Sequence, residues 1–346
     1  MLVADDSAAA RALIRGILEA DPGLEVVGQA TDGLEAVALA GRLEPDVITM
    51  DVEMPGVDGL EATRQIMATV PRPIVLVSAV FAPDLDNSFR ALEAGAVTLL
   101  EKPNGPGSPA FAREAAELVA TVKLMAGVKL VRRSAPRSAA SPPAGIVPAD
   151  RRTDPLRVVA IAASTGGPPA IAHILRALPA DWSVPVLVVQ HIGAGFDVGL
   201  VRYLDDACLL PVSLARPGRE VSGGGVHICP AEQHLGVTAD RWLTVTPGEP
   251  IEGYRPSANQ LFRSVAAAYG PRAAGVVLTG MGRDGADGLF ALRQAGGFAI
   301  AQDQATSTVY GMPRQALLRG ATDEVLPVED IAAALVARAT SPGATE

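Results

Sequence analysis

Three side chains that can cooperate in acyl transfer each follow an apolar run in the second half of the sequence. Ser164 comes after VVAIAA, His191 after VPVLVVQ, and Asp284 after GVVLT, within the loop GMGRDG. Apolar runs that alternate with segments of helical periodicity predict parallel strands joined by helices. The carboxyl ends of such strands meet at one edge of a sheet. At that edge Ser164 could act as the nucleophile, His191 as the base that takes its proton, and Asp284 as the acid that orients the imidazole.

These residues also have structural interpretations. Ser164 precedes a turn and a helix, so its hydroxyl could simply cap that helix. A lone histidine is usually structural, and only His191 of the four histidines ends a long apolar strand; the others are His173, His227 and His234. The order Ser, His, Asp and the turn AASTGG exclude the ordinary α/β-hydrolase assignment, which has the order Ser, acid, His and the motif GxSxG.

A rival interpretation concerns the glycines of the same region. Gly280, Gly282 and Gly285 spell GxGxxG after a predicted strand and before a helix, and Asp303 ends the next strand. This pattern is typical of dinucleotide-binding loops and favours an NAD-linked enzyme. Against it, the charge of Asp284 lies inside the loop, where it would face the pyrophosphate.

The first half carries an acidic cluster at its own predicted strand ends. Asp5 and Asp6 end the first strand and Asp51 the third, while Ser78 and Lys102 end the fourth and fifth. Carboxylates at one edge repel each other unless a cation lies among them, and oxygen ligands without His or Cys select Mg²⁺. A carboxylate beside Mg²⁺ can attack a phosphoryl donor, with the serine and lysine holding the phosphoryl oxygens. The simpler explanation, helix caps and a surface lysine, requires that five matching residues occur at these strand ends by coincidence.

Strands and helices alternate through both halves of the chain. The first half predicts five strands, with helices that include Ser7–Ala20, one near Ser88–Ala94 and Phe111–Leu130. The second half predicts further strands and helices, a glycine-rich strand-like region over Gly223–Thr246 and a last helix near Val328–Arg338. We therefore expect an α/β protein with two doubly wound parallel-sheet domains. Their expected ranges are 1–125 and 155–342, joined by a linker over 126–154 that is rich in Pro, Ser and Arg.

Bulk composition narrows the functional classes. The 346 residues are 49% hydrophobic and 4% aromatic, which suits two aliphatic cores. A net charge of −9 argues against nucleic acid as a partner. The two cysteines lack metal or disulfide spacing, and neither a signal peptide nor a membrane segment is evident, so a cytoplasmic protein is expected.

Over its first 125 residues the chain resembles a response-regulator receiver domain, through ADDS, TMDVEMPGVDG, VSA and EKP. The resemblance implies a flavodoxin-like fold in which Asp51 is the phosphoacceptor. It also implies that Asp5, Asp6 and Asp51 bind Mg²⁺, and that the phosphoryl group is sensed by Ser78 and Lys102. Leu99 occupies the place of the family's usual aromatic switch residue, a departure from the family pattern.

The second half is similar to the catalytic domain of chemotaxis protein-glutamate methylesterases, the CheB family. The similarity rests on IAASTGGP, VVQHI, YRPSANQLF, LTGMGRDGADGL and QDQATSTVYGMPRQA. It implies a Rossmann-like esterase domain with Ser164 as nucleophile, His191 as general base and Asp284 as third member. It further implies that the Met281 main-chain N–H is an oxyanion donor. Asp287 competes for the acid role, but Asp284 matches the family position.

The resemblance also implies an activity and its partners. We expect phosphorylation-controlled hydrolysis of glutamate methyl esters, and deamidation of glutamines, on methyl-accepting chemoreceptors. A chemotaxis-type histidine kinase would be the phosphodonor. Mg²⁺ would serve receiver phosphorylation, and ester hydrolysis would need no cofactor. A DNA-binding response regulator is disfavoured, because the second half is large, not basic and without an evident recognition helix. Membrane insertion is not expected.

Overall fold

The structure is a computed structural model that describes residues 1–78, 89–92, 94–127 and 155–340. Within the helix predicted near Ser88–Ala94, residues 89–92 are helical, whereas Ser88 lies outside the described residues. Most of the predicted linker and residues 341–346 also lie outside them. In the described ranges no helix combines the length and apolarity that a membrane crossing would require.

The first domain is a five-stranded parallel sheet in the order β2-β1-β3-β4-β5. Its strands are β1 (Leu2–Ala4), β2 (Gly28–Ala30), β3 (Ile48–Met50), β4 (Ile74–Ser78) and β5 (Thr98–Glu101). Its labelled helices are α1 (Ala8–Glu19), α2 (Gly33–Leu43), α3 (Gly59–Thr69) and α4 (Phe111–Ala126). Side-chain caps fix where the first three helices begin: Ser7 accepts from the Ala10 amide, Asp32 from Glu35 and Asp58 from Glu61.

The second domain is built on a seven-stranded parallel sheet in the order β14-β13-β12-β6-β7-β9-β8, with a separate antiparallel pair, β10 and β11. The sheet strands are β6 (Val158–Ala163), β7 (Val186–Gln190), β8 (Val212–Leu214), β9 (Val226–Ile228), β12 (Ala273–Val277), β13 (Phe298–Gln302) and β14 (Glu324–Leu326). The hairpin strands are β10 (His234–Val237) and β11 (Leu243–Thr246). The helices are α5 (Gly167–Ala177), α6 (Asp197–Ala207), α7 (Ala258–Tyr269), α8 (Ala286–Gln294), α9 (Met312–Leu318) and α10 (Val328–Ala339).

The central strands of the second sheet are buried on both faces. Every residue of β6, β7 and β12 is buried, as expected for parallel strands covered by helices on both sides. Each fully buried valine or isoleucine stabilises the fold by about 1.5–3 kcal/mol relative to an exposed one. The polar residues Ser164, His191 and Asp284 follow these buried central strands in the chain.

The predicted α/β class with two parallel-sheet domains is confirmed, but some elements differ from the prediction. The strand predicted over EVVGQA pairs with β1 only over Gly28–Ala30. The residues before it bond to Met1, which precedes β1: the Val27 amide donates to the Met1 carbonyl, and the Met1 ammonium donates to the Glu25 carbonyl. Helix α9 and strand β14 were not predicted. Two of the three residues of β14 are exposed at the sheet edge, so this strand lacks the apolar run that marks the others.

Candidate functional site

Three neighbouring strands bring the predicted triad to one edge. Strand β6 pairs in parallel with β12 on one side and β7 on the other. Ser164 directly follows β6 and His191 directly follows β7, while Asp284 lies in the loop between β12 and α8. The chain leaves β6 toward β7 and later returns to β12 on its other side. Ser164 therefore lies at the switch in strand order where α/β sheets form their binding crevices.

A tight turn presents Ser164. The Gly167 amide donates to the Ser164 carbonyl at 2.8 Å, and Gly166 has φ 76° and ψ 2°, values typical of the third residue of a type II turn. A Cβ on Gly166 would lie 2.5 Å from the Cβ of Thr308, so only glycine fits. The N-cap of α5 is Gly166 without a side-chain cap, and Ser164 Oγ forms no hydrogen bond with any described residue. The helix-capping interpretation of Ser164 is therefore not supported.

The Gln190 side chain links the turn at Ser164 to His191, the residue that follows strand β7. Its side-chain amide donates to the Ser164 carbonyl at 2.8 Å and to the His191 carbonyl at 2.9 Å. Gln190 itself is buried. The sequence analysis did not identify it, although a polar residue at the end of an otherwise apolar strand is a signal that could have.

His191 and Asp284 form an acid–imidazole pair in which the carboxylate is buried and the imidazole is partly exposed. Nε2 of His191 lies 2.9 Å from Oδ2 of Asp284, and the Asp284 side chain has no solvent exposure. An ionised carboxylate only accepts hydrogen bonds, so Nε2 carries the proton and Nδ1 keeps its lone pair. Nδ1 forms no hydrogen bond within the described part of the chain, which leaves it able to accept a proton.

Backbone amides hold the Asp284 carboxylate from the other side. Oδ2 accepts from the Ala258 amide at 2.6 Å, and Oδ1 accepts from the amides of Asn259 and Gly285 and from Ser257 Oγ. Burial acts to raise the pKa of Asp284, but the hydrogen bond and charge of His191 and these amides outweigh it and lower the pKa below its ordinary value. The carboxylate is ionised at neutral pH and suited to stabilise an imidazolium.

Asp287, the other candidate acid, lies on the surface. Its Oδ1 is 2.6 Å from Nε of Arg319, and both side chains are nearly half exposed. It has no hydrogen bond to His191. The geometry therefore favours Asp284 for the acid role.

The segment before α7 supplies groups that the residue-by-residue analysis missed. Ser257 and the first amides of α7 bind Asp284, and the Tyr254 ring stacks on His191 with centroids 5.1 Å apart and an interplanar angle of 13°. Ser257 also accepts from the Gln260 amide at the helix start. A serine just before helical periodicity is an N-cap signal, which could have drawn attention to this position.

Met281, the predicted oxyanion donor, belongs to the loop that packs against Ser164. Met281 is 38% exposed, and its main-chain N–H has no hydrogen-bond partner among the described residues. The neighbouring Gly280 packs so closely on the nucleophile that a Cβ there would lie 2.6 Å from Ser164 Cβ. The loop that carries Met281 is thus in direct contact with Ser164.

The glycine loop is not arranged for a dinucleotide. At the start of α8, the Gly285 amide donates to Asp284 and the Gly288 amide donates to Oδ1 of Asn259 at 2.7 Å. Asp303 accepts from the amide and hydroxyl of Thr306 within its own turn. The Gly285 and Gly288 amides at the start of α8 and the Asp303 carboxylate are therefore engaged by the protein, which disfavours a pyrophosphate at this helix start and a ribose at Asp303.

The first domain brings its predicted polar residues together as well. Ligand atoms of Asp5, Asp6 and Asp51 all lie within 4.8 Å of one another. Nζ of Lys102 is 2.6 Å from Oδ2 of Asp51 and 2.9 Å from Oδ2 of Asp5. Ser78 ends β4 and is buried, and its carbonyl accepts from the Lys102 amide. All five residues lie at the carboxyl edge of the sheet.

The charges of this cluster suit a divalent cation. Burial raises the pKa of Asp51 to about 6, and the hydrogen bond and charge of Lys102 offset this increase only in part. Burial also acts to lower the pKa of Lys102, but its hydrogen bonds with Asp51 and Asp5 raise it above the ordinary value. One ammonium among three carboxylates leaves a net negative charge. Oxygen ligands of this kind fit Mg²⁺.

A cavity of about 430 Å³ separates the two domains and contains the Ser164 edge. Ser164, His191 and Met281 line one side of it, and residues of β5 and α4 line the other, including Glu101 and Glu117. Burial raises the pKa of both carboxyls. The first domain therefore lies over the residues predicted to be catalytic.

Comparisons with known proteins agree with this architecture. A family model described as CheB methylesterase matches residues 159–335, and one described as response regulator receiver domain matches residues 1–108. These matches fall within the two predicted domains, whose boundaries stay a prediction.

Relatives resemble the chain along nearly its whole length. The chain is 53% identical over 333 residues to protein-glutamate methylesterase/protein-glutamine glutaminase 3 of Anaeromyxobacter dehalogenans, covering 96% of each chain. It is 48% identical to protein-glutamate methylesterase/protein-glutamine glutaminase 4 of Myxococcus xanthus, covering 97% of this chain and 95% of the relative. The crystal structure of the Thermotoga maritima CheB methylesterase catalytic domain is 36% identical with a TM-score of 0.51, covering 53% of this chain and 98% of that one. The chain therefore belongs to the CheB methylesterase family and carries a response regulator receiver domain at its start.

Proposed function

We propose that the protein is a protein-glutamate methylesterase and protein-glutamine glutaminase that acts on methyl-accepting chemoreceptors in the cytoplasm. The observation that carries the chemistry is the hydrogen bond between His191 and the buried Asp284 carboxylate, at the central strand ends where Ser164 also lies. The names of its full-length relatives supply the substrate class.

Hydrolysis proceeds through an acyl-enzyme. Ser164 Oγ attacks the ester carbonyl carbon of a glutamate methyl ester and gives its proton to Nδ1 of His191. The Met281 N–H and the start of α5 stabilise the oxyanion. The C–OCH₃ bond breaks, and the imidazolium returns the proton to the leaving group, which departs as methanol.

Deacylation uses the same groups. Water attacks the acyl carbon while His191 takes its proton, and Ser164 Oγ leaves with that proton, which regenerates the enzyme and a receptor glutamate. With a glutamine side chain as substrate the first leaving group is ammonia instead of methanol. Asp284 stays ionised throughout and stabilises the imidazolium.

The receiver controls access to this site. Asp51 attacks the phosphorus of a kinase phosphohistidine or a small phosphodonor, with Ser78 and Lys102 holding the phosphoryl oxygens. An aspartyl phosphate forms as the bond from phosphorus to the donor breaks, and the donor leaves as free histidine or as the dephosphorylated small molecule. Asp5, Asp6 and Asp51 would hold Mg²⁺, which neutralises the charge of the transferred group when bound. Before phosphorylation the receiver covers the Ser164 edge; phosphorylation moves it away. The shared cavity between the domains supports this control.

The nucleophile assignment is tested by Ser164→Ala in the full-length protein. Methanol release from methylated receptor membranes should fall to background while the circular dichroism spectrum is unchanged, because no other hydroxyl takes the place of Oγ. Ser222, an exposed serine outside the cavity, provides the matched control as Ser222→Ala and should keep wild-type turnover. Turnover retained in Ser164→Ala would contradict the assignment.

A further inference from the structure

The Tyr254 ring is held against the imidazole of His191. The two ring centroids are 5.1 Å apart and the planes are inclined by 13°, a parallel stack. Asp284 binds the same imidazole through Nε2. The imidazole therefore has a carboxylate at one nitrogen and an aromatic face against its plane.

A short turn fixes the position of Tyr254. Ile251 and Tyr254 exchange two backbone hydrogen bonds of 3.0 Å, and the residues between them, Glu252 and Gly253, both have positive φ. Positive φ at both central positions is typical of a type I′ turn, a rigid two-residue connection. The ring is thus presented from a defined backbone position.

The hydroxyl of Tyr254 contacts the loop that carries Met281 and Asp284. It accepts from the Arg283 amide at 3.4 Å. It also lies 2.3 Å from where a Cβ on Gly282 would be, so the glycine makes room for it. One side chain therefore touches both the general base and the loop beside Ser164.

Arg255, which follows Tyr254 in the chain, has its charge engaged elsewhere. The Arg255 guanidinium binds the Glu232 carboxylate and the Gly248 carbonyl. The charged group bound to the imidazole is the Asp284 carboxylate.

We propose that Tyr254 is a positioning residue that stabilises the protonated form of His191 and holds the loop of Met281 in its position beside Ser164. The proposal rests on the proposed esterase function. An aromatic face attracts a cation more strongly than a neutral ring, so the stack favours the imidazolium that forms when Ser164 gives up its proton. Such an interaction is stronger in the transition state than in the ground state, and it therefore accelerates the reaction.

Two substitutions separate the ring from the hydroxyl. Tyr254→Leu removes both and should lower kcat for methanol release by about tenfold in the phosphodonor-activated full-length protein. It should also move the acid limb of the kcat/KM profile to lower pH by about half a unit, because the base is protonated less readily. Tyr254→Phe keeps the stack, so the acid limb should stay in place while kcat falls by about threefold through the loosened loop.

A second measurement does not depend on turnover. In full-length Ser164→Ala protein with ¹⁵N-labelled histidine, the NMR titration midpoint of His191 should move to lower pH in Tyr254→Leu and stay in place in Tyr254→Phe. Trp242→Leu removes a 46% exposed aromatic ring outside the cavity lining and is the matched control for both measurements.

The outcomes distinguish the two proposals. Wild-type protein that releases no methanol would contradict the esterase function, and the histidine titration would still test the stack. A folded Tyr254→Leu protein with wild-type kcat, or one whose acid limb and His191 titration do not move, would overturn the role of Tyr254. A slow variant with an unmoved titration would mean that the ring only fills space.

Discussion

Asp284 shows how a buried charge can be both structural and chemical. Removing a carboxylate from water is costly unless its oxygens are satisfied. Here the two oxygens accept from Ser257, Ala258, Asn259, Gly285 and His191. The same group therefore binds the first amides of α7 and orients His191, the proposed base, so the fold of this helix start and the proposed chemistry depend on one side chain.

Asp284→Asn is expected to impair both roles. An amide nitrogen in the place of Oδ2 cannot accept from the Ala258 amide or from Nε2 of His191, so both of these donors lose their acceptor. We expect kcat to fall by about 10³–10⁴ and the free energy of unfolding to fall by about 2–4 kcal/mol. Methanol release and urea denaturation measure the two effects.

The matched control is Asp287→Asn, which removes a half-exposed ion pair three positions along the chain. It should change the free energy of unfolding by at most about 1 kcal/mol and leave turnover intact. A larger loss of turnover from Asp287→Asn than from Asp284→Asn would mean that the acid has been assigned to the wrong residue.

The lowered pKa of Asp284 also predicts a pH dependence of stability. A carboxyl whose folded pKa lies below its unfolded value of 3.8 stabilises the protein above pH 3.8. That contribution is lost as the pH falls through the folded pKa. The difference in unfolding free energy between the wild type and Asp284→Asn should therefore be full at pH 6 and smaller at pH 3. A difference that grows in acid would contradict the direction of the shift.

At the scale of elements, the turn between β6 and α5 has little freedom to vary. Gly166→Ala would place a side chain at positive φ and against Thr308. We expect a loss of about 2–4 kcal/mol in unfolding free energy and at least about a tenfold loss of activity, because the turn that presents Ser164 must shift. Activity and urea denaturation check this expectation.

Gly218→Ala is the control for Gly166→Ala, because it tests the effect of positive φ without the clash against Thr308. Gly218 also has positive φ, at 73°, but a Cβ there meets nothing within 4 Å. It should cost about 1 kcal/mol and leave activity unchanged. If both variants behaved alike, the close approach at Gly166 would not matter for catalysis.

The strand-end residues could be predicted from the sequence because parallel strands place successive carboxyl ends at one edge. Ser164 and His191 follow directly from the apolar runs before them. Tyr254 and Ser257 could not be placed in the same way, because they belong to a loop whose position depends on tertiary packing. Edge strand β14 was missed for a related reason: its residues are mostly exposed, and backbone pairing with β13 determines it.

At the scale of the whole molecule, the two domains meet through aromatic packing as well as through the cavity. The rings of Phe89 and Tyr203 stack with centroids 5.4 Å apart and an interplanar angle of 18°. Phe89 lies in the receiver and is fully buried, and Tyr203 lies on α6 of the second domain. This pair is therefore part of the contact between the receiver and the second domain.

Tyr203→Ala should weaken that arrangement. The ring stack and its burial contribute about 1–3 kcal/mol, and their loss shifts the population toward the open form. Methanol release without a phosphodonor should rise by about fivefold or more, with little change in the fully phosphorylated rate. Leu209→Ala, at a 79% exposed position shortly after α6, should leave the unphosphorylated rate unchanged. An unchanged rate in Tyr203→Ala would show that this contact does not restrain the site.

The most direct test of a receiver-controlled esterase is methanol release from methylated receptor membranes, with and without a small phosphodonor and Mg²⁺. We predict that the donor and Mg²⁺ together raise the rate of the full-length protein, and that Asp51→Asn keeps the basal rate but loses the increase. A rate that does not respond to the donor would contradict control by the receiver. No methanol from any methylated receptor would contradict the esterase activity itself.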